Sequence, residues 1–145
     1  MNTKDILWQL IQALGGTVGF SLFFSVPKRR IPAAALGGIL CWGSYLLFRN
    51  GLHFDILIAS FFASALVFWY AEILARILHT PAILLFTPAS VPLIPGSGLY
   101  YTMSALVRRD WDSALLRGSD TAQCALGIAL GMSIVCAIYD ARREH

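Results

Sequence analysis

The sequence predicts an all-α, polytopic membrane protein with about five transmembrane helices. Hydrophobic residues make up 57% of the 145 residues and charged residues 13%, and the mean hydropathy is +0.67. Soluble domains carry about 45–50% apolar and about 25% charged residues. Several apolar runs approach or exceed the roughly 20 residues that cross a bilayer as a helix. We therefore expect a single transmembrane domain over residues 1–145, without a soluble domain.

The order of apolar runs and basic residues predicts both the spans and their orientation. The expected spans are five runs, 6–24, 31–48, 54–79, 81–107 and 120–139. The loop Lys28–Arg30 is the densest basic cluster, and the positive-inside rule places such loops in the cytoplasm. This puts the N-terminus outside, the C-terminus inside, and six basic side chains inside against five outside. The inner six are Lys28, Arg29, Arg30, Arg76, Arg142 and Arg143.

The fourth run is interrupted by residues that break helices. They are three prolines and two glycines: Pro88, Pro92, Pro95, Gly96 and Gly98. Proline lacks the backbone donor and crowds the carbonyl four residues earlier, and glycine adds backbone freedom. The sequence therefore predicts a helix that reaches about Phe86 and resumes near Leu99, as a broken span or a re-entrant loop.

This break is the candidate substrate site. Irregular backbone inside a membrane is tolerated where protein or a water-filled cavity surrounds it, and many transporters bind substrate at such helices. The candidate binding or gating residues are Thr87, Pro88, Ser90, Pro92, Pro95, Gly96, Ser97, Gly98, Tyr100 and Tyr101. The resumed helix would present backbone donors and its positive dipole end, which suits a carboxylate. The alternative is a loop or kinked span without a ligand.

Three ionisable residues are further candidates because charge within a membrane usually has a function. Glu72 and Arg76 are one turn apart near the end of the third run, and Asp120 precedes the last run. For the first two, the alternative is an ion pair in which Arg76 extends to the headgroups. For Asp120 the alternative is an N-cap of the last span.

Small residues predict where helices pack closely. Gly15 and Gly19 form one GxxxG pair, and Gly127 and Gly131 form a second. Such pairs allow the backbones of two helices to approach, and for the first pair we expect packing within the chain rather than a ligand contact.

Enzyme chemistry is not expected from this sequence. It holds no Cys/His cluster at metal-ligand spacing, no nucleophile elbow and no phosphate loop, so no cofactor or metal is predicted. The basic residues flank apolar runs and form no stripe for nucleic acid. The three cysteines lie inside apolar runs, which argues against a disulfide framework.

The chain resembles the threonine/serine exporters in their split form, in which a small subunit corresponds to the second half of the full-length protein. The segment 81–100 carries the resemblance through its core Pro92-Leu-Ile-Pro-Gly96, and the lead-in 71–76 and the Gly-rich 125–131 are similar too. The resemblance implies a bacterial inner-membrane exporter of threonine, serine or a dicarboxylate such as succinate. It also implies a larger membrane partner, and it carries over no substrate-binding residue.

Two other interpretations of the sequence remain open besides the exporter. The chain could be a non-transporting assembly or scaffold subunit of a membrane complex, or a homo-oligomer that works without a partner. If export is coupled to protons, Glu72 is the first candidate for the coupling residue.

Overall fold

The computed structural model describes residues 3–143, and the elements it forms over them are all helical. The helices are α1 (Thr3–Phe23), α2 (Ile31–Leu46), α3 (Ile56–Leu78), α4 (Ala82–Ser90), α5 (Gly96–Val107) and α6 (Trp111–Arg143). Four of them are long and apolar enough to cross a membrane, and the bent pair of α4 and α5 brings the number of candidate spans up to five. This confirms the prediction of an all-α, polytopic membrane protein. The side chains of Arg142 and Arg143 lie outside the described part.

Contacts along α3 set the direction of its neighbours. The Ser60 hydroxyl donates to the sulfur of Cys124 at 3.3 Å, and the Arg76 guanidinium lies over the Tyr139 ring, so α3 and α6 run parallel. The Tyr70 hydroxyl of α3 donates to a carbonyl near the start of α2, so these two helices run antiparallel. α4 also runs antiparallel to α3, because its Phe86 meets Phe68 and the 3₁₀ turn after it reaches Cys124, which contacts Ser60.

The second GxxxG pair lies where α6 packs closely against α3. A β-carbon added at Gly127 would lie 2.9 Å from the β-carbon of Ser60, and one added at Gly131 would meet the Ser64 hydroxyl. The prediction for the first pair is wrong: β-carbons added at Gly15 or Gly19 would have no neighbour within 4 Å. That face of α1 is open because α2 packs instead against the adjacent face, through Thr17.

The break in the fourth run is shorter than predicted. Pro88 lies inside α4, a 3₁₀ turn continues to Leu93, and α5 begins at Gly96 rather than near Leu99. Membrane helices tolerate proline where nearby hydroxyls and 3₁₀ turns adjust the hydrogen bonding. At the switch to the 3₁₀ turn, the Val91 N–H bonds the Pro88 carbonyl and the Ser90 hydroxyl donates to the Thr87 carbonyl at 3.0 Å. The two helical halves meet at an angle of 49°.

The last helix begins nine residues earlier than the predicted span at 120, so the reading of Asp120 as an N-cap is wrong. Asp110 caps α6 instead, because its carboxylate accepts a hydrogen bond from the backbone N–H of Ser113 at 3.2 Å. Hydrogen bonds from the Ser113 side chain and N–H hold the pKa of Asp110 below its usual value. Gly118 does not stop the helix, because it lies where Thr102 of α5 packs closely against α6.

Candidate functional site

A partly open cavity of about 270 Å³, here called the break cleft, lies where α4 turns into α5. It is lined by Trp42, Tyr45, Ile56, Pro92, Leu93, Ile94, Pro95, Ser97, Gly98, Arg117, Asp120, Thr121 and Cys124. Since Cys124 contacts both Ser60 and the Leu93 carbonyl, the break lies level with the first turns of α3. The cleft is thus near one end of the helix bundle rather than midway along it.

The helix that resumes after the break begins beside this cleft. Pro95 is the N-cap of α5, and among the described residues no side chain caps that helix end. A helix leaves the N–H groups of its first turn without an intrahelical acceptor, and its N-terminus carries partial positive charge. Ser97 and Gly98, both in this first turn, line the cleft. The arrangement suits a carboxylate, which is the ligand group that the sequence predicts for this helix end.

Two side chains of opposite charge come to the cleft from α6. Arg117 and Asp120 are nearly one helical turn apart, and both line the cavity. The Arg117 guanidinium lies 5.0 Å from the centroid of the Tyr101 ring in the second turn of α5, and this cation–π contact holds the guanidinium beside α5. The cleft can therefore pair with an anionic and a cationic group of one small molecule.

Aromatic side chains of α2 form the opposite wall. The rings of Trp42 and Tyr45 stack with centroids 5.2 Å apart. The indole N–H of Trp42 donates to the side-chain oxygen of Gln9 on α1 at 3.2 Å, which fixes the orientation of this wall. Trp42 and Pro92 also line a smaller cavity of about 210 Å³ beside Gln12.

The predicted site residues divide into two groups. The cleft contains Pro92, Pro95, Ser97, Gly98 and Asp120. Six others do not line it. Pro88 and Ser90 are buried in α4, and Thr87 is half-buried there. A β-carbon added at Gly96 would have no neighbour within 4 Å, and Tyr100 and Tyr101 are exposed on α5.

Sequence reasoning missed most of the cleft walls, above all Trp42, Tyr45 and Arg117. The spacing of the two aromatics, i and i+3 in a helix otherwise rich in small residues, is the one signal that could have indicated a shared face. Arg117 was missed because the predicted last span begins at 120, whereas α6 begins at Trp111 and includes Arg117.

Glu72 and Arg76 lie at the other end of α3, apart from the break cleft. With His79, Thr80 and Cys136 they line a second cavity of about 740 Å³, here called the turn cleft. The Arg76 guanidinium lies 4.8 Å from the centroid of the Tyr139 ring, and within the described side chains it forms no ion pair with Glu72. The alternative explanation of these two residues as an ion pair is therefore wrong.

A bundle of up to five candidate spans is the architecture of a multi-pass membrane protein, and many transporters bind substrate at a broken helix beside a cleft. Residues 9–138 match the family described as Threonine/Serine exporter, ThrE. The match covers most of the chain, and the chain belongs to this family of exporters, which are transporters rather than enzymes. Neither a curated protein nor a solved structure shows a significant match.

Proposed function

We propose that this chain is a subunit of an inner-membrane exporter of small polar carboxylates, with the break cleft as its substrate site. Threonine and serine are the first candidate substrates, and a dicarboxylate such as succinate is the second. The observation that carries the proposal is the cleft itself, where the start of α5 meets Arg117 and Asp120 beside an aromatic wall. Membership of the exporter family supports it.

The charges of the cleft favour an amino acid over a dicarboxylate. The substrate carboxylate would bind between Arg117 and the first turn of α5, where charge-assisted hydrogen bonds are strongest. The substrate ammonium group would pair with Asp120. A dicarboxylate would bring its second negative charge towards that same carboxylate, and like charges at close range discriminate against a ligand.

Export by this chain also requires a path between both membrane faces, which we propose it forms with a larger membrane partner. α1 offers a surface for such a helix, since Gly15 and Gly19 are open and the adjoining Phe20 and Phe23 are exposed. The same open face favours the second candidate function, a non-transporting assembly subunit that only holds a partner in place.

The test is efflux of labelled threonine, serine and succinate from cells or proteoliposomes that contain the chain with and without its candidate partner. Replacing Arg117→Gln should lower efflux of threonine about tenfold or more, because a charge-assisted hydrogen bond contributes about 1.5–3 kcal/mol. The matched control is Arg108→Gln, an exposed arginine in the turn after α5 that does not line the cleft.

The outcomes separate the two functions. If Arg117→Gln and Arg108→Gln both keep full efflux while the complex stays intact, the break cleft is not the substrate site and the assembly function gains. In the same assay, we expect the efflux that remains in Glu72→Gln to be independent of the pH gradient, since Glu72 is the residue we propose for proton coupling.

A further inference from the structure

The turn cleft lies at the end of the bundle opposite the break cleft. It is formed where α3 ends, the turn at Thr80 reverses the chain and α6 passes beside both. Glu72 of this cleft and Ser60 beside the break cleft are 12 residues apart on α3, which corresponds to about 18 Å along a helix. With about 740 Å³ the turn cleft is large enough for a small metabolite.

The two clefts contain the same chemical groups. Each is lined by an arginine that also lies over a tyrosine ring outside the cavity lining: Arg76 at 4.8 Å from the Tyr139 centroid and Arg117 at 5.0 Å from that of Tyr101. Each has a carboxylate about one helical turn from its arginine, Glu72 in one and Asp120 in the other. Each is also lined by one cysteine of α6.

A polar atom in the turn cleft lacks a partner. The hydroxyl oxygen of Thr80, a half-buried lining residue, is buried, and it forms no hydrogen bond within the described structure. Buried polar groups are nearly always hydrogen-bonded, since an unsatisfied one costs about 1–3 kcal/mol. Because less than 1 Å² of this oxygen is exposed, a ligand in the cleft reaches it only when the turn at Thr80 shifts.

An apolar layer separates the two clefts. Phe68 and Phe86 pack edge to face with centroids 5.0 Å apart, and both rings are about 5% exposed. Val67 and Leu85 fill the same layer and are fully buried. Phe68 also lines the turn cleft, so its ring forms the inner wall of that cavity.

We propose that the turn cleft is a second binding site for the same zwitterionic substrate, which passes between the two clefts when the Phe68–Phe86 layer opens. Arg76 binds the carboxylate, Glu72 binds the ammonium group, and Thr80 forms the remaining hydrogen bond when its turn shifts. This inference rests on the proposed function, because it takes the substrate from the break cleft.

The native cysteines allow each cleft to be tested separately. Cys136 lines the turn cleft, Cys124 lines the break cleft, and Cys41 is fully buried in the core. One reporter protein carries Cys41→Ala and Cys124→Ala, and the other carries Cys41→Ala and Cys136→Ala. Each is purified with its partner, reconstituted and treated with methyl methanethiosulfonate at increasing concentrations of L-threonine.

L-threonine should slow modification of Cys136 at least threefold. Arg76→Gln should abolish this protection while protection of Cys124 persists, and Arg76→Lys should keep part of it because the charge remains. The control Lys28→Gln removes a cation from the same end of the bundle without touching the cleft, and it should leave protection unchanged.

Protection of Cys124 but not of Cys136 would overturn the second site and leave the proposed function standing. Protection of Cys136 that survives Arg76→Gln would also overturn it, because the effect would then come from a conformational change. Absence of protection at both cysteines, together with absence of efflux, would reject the proposed function as well.

Discussion

Gly98 sets the distance between the broken helix and α6 at the floor of the break cleft. A β-carbon at this position would meet the hydroxyl oxygen of Thr121, which is itself held by a hydrogen bond to the Arg117 carbonyl at 2.7 Å. Gly96, two residues earlier, has nothing within 4 Å of the corresponding position. Of the two glycines in the break, the structure thus requires only Gly98 for close approach.

Replacing Gly98→Ala should therefore lower both stability and efflux. Extra methylene volume in a packed contact typically destabilises by about 1–3 kcal/mol, and separation of α5 from α6 would move Arg117 relative to the start of α5. Gly96→Ala should leave the thermal unfolding midpoint and efflux near wild type. The double variant Gly98→Ala/Thr121→Ala should recover stability, because the opposing oxygen is removed. Equal loss in Gly96→Ala and Gly98→Ala would contradict this explanation.

At the scale of helices, two identical sequence patterns have different environments. The pair Gly127/Gly131 brings α6 against the backbone of α3, whereas Gly15/Gly19 contacts nothing in this chain. Periodicity shows that the residues share a helical face, but it does not show which helix covers that face. Only the assembled bundle distinguishes the two.

The prediction that follows compares Gly131→Ala with Gly15→Ala. A β-carbon at Gly131 would lie 3.0 Å from the backbone nitrogen of Ala65 and still closer to the Ser64 hydroxyl, so α3 and α6 would have to separate. We expect a loss of about 1–3 kcal/mol, measured as a lower unfolding midpoint in detergent. Gly15→Ala should not lower the midpoint of the isolated chain. A midpoint that falls equally in both variants would show that α1 is packed after all.

Most of the fold could be predicted from the sequence, because apolar runs of this length indicate membrane helices. The residues at which the helices begin and end could not be predicted. Pro88 and Gly118 are poor helix residues, yet both lie inside helices: Pro88 is buried in α4, and Gly118 lies in α6 where Thr102 packs closely. Two aspartates could equally cap the last helix by composition, and the structure selects Asp110. For the break cleft, the sequence indicated residues of the interrupted helix, but it did not indicate residues that other helices contribute to the lining, such as Trp42.

The two clefts lie at opposite ends of the bundle, and the basic residues divide between these ends. The Tyr70–Ala33 hydrogen bond aligns the start of α2 with the end of α3, so Lys28–Arg30 and Arg76 lie at the end that contains the turn cleft. Arg49 and Arg117 lie at the end that contains the break cleft. The denser basic cluster leads us to propose that the turn cleft opens to the cytoplasm and the break cleft to the outside.

This orientation predicts which face of the membrane reaches a cysteine at either end. In a variant with Cys41, Cys124 and Cys136 replaced by alanine, Arg29→Cys should be labelled by an impermeant maleimide only after the cells are opened. Its matched control is Arg109→Cys in the exposed turn after α5, which should react in intact cells. The opposite labelling pattern would show that the protein has the opposite orientation in the membrane. The break cleft would then face the cytoplasm and load substrate for export, and the turn cleft would release it.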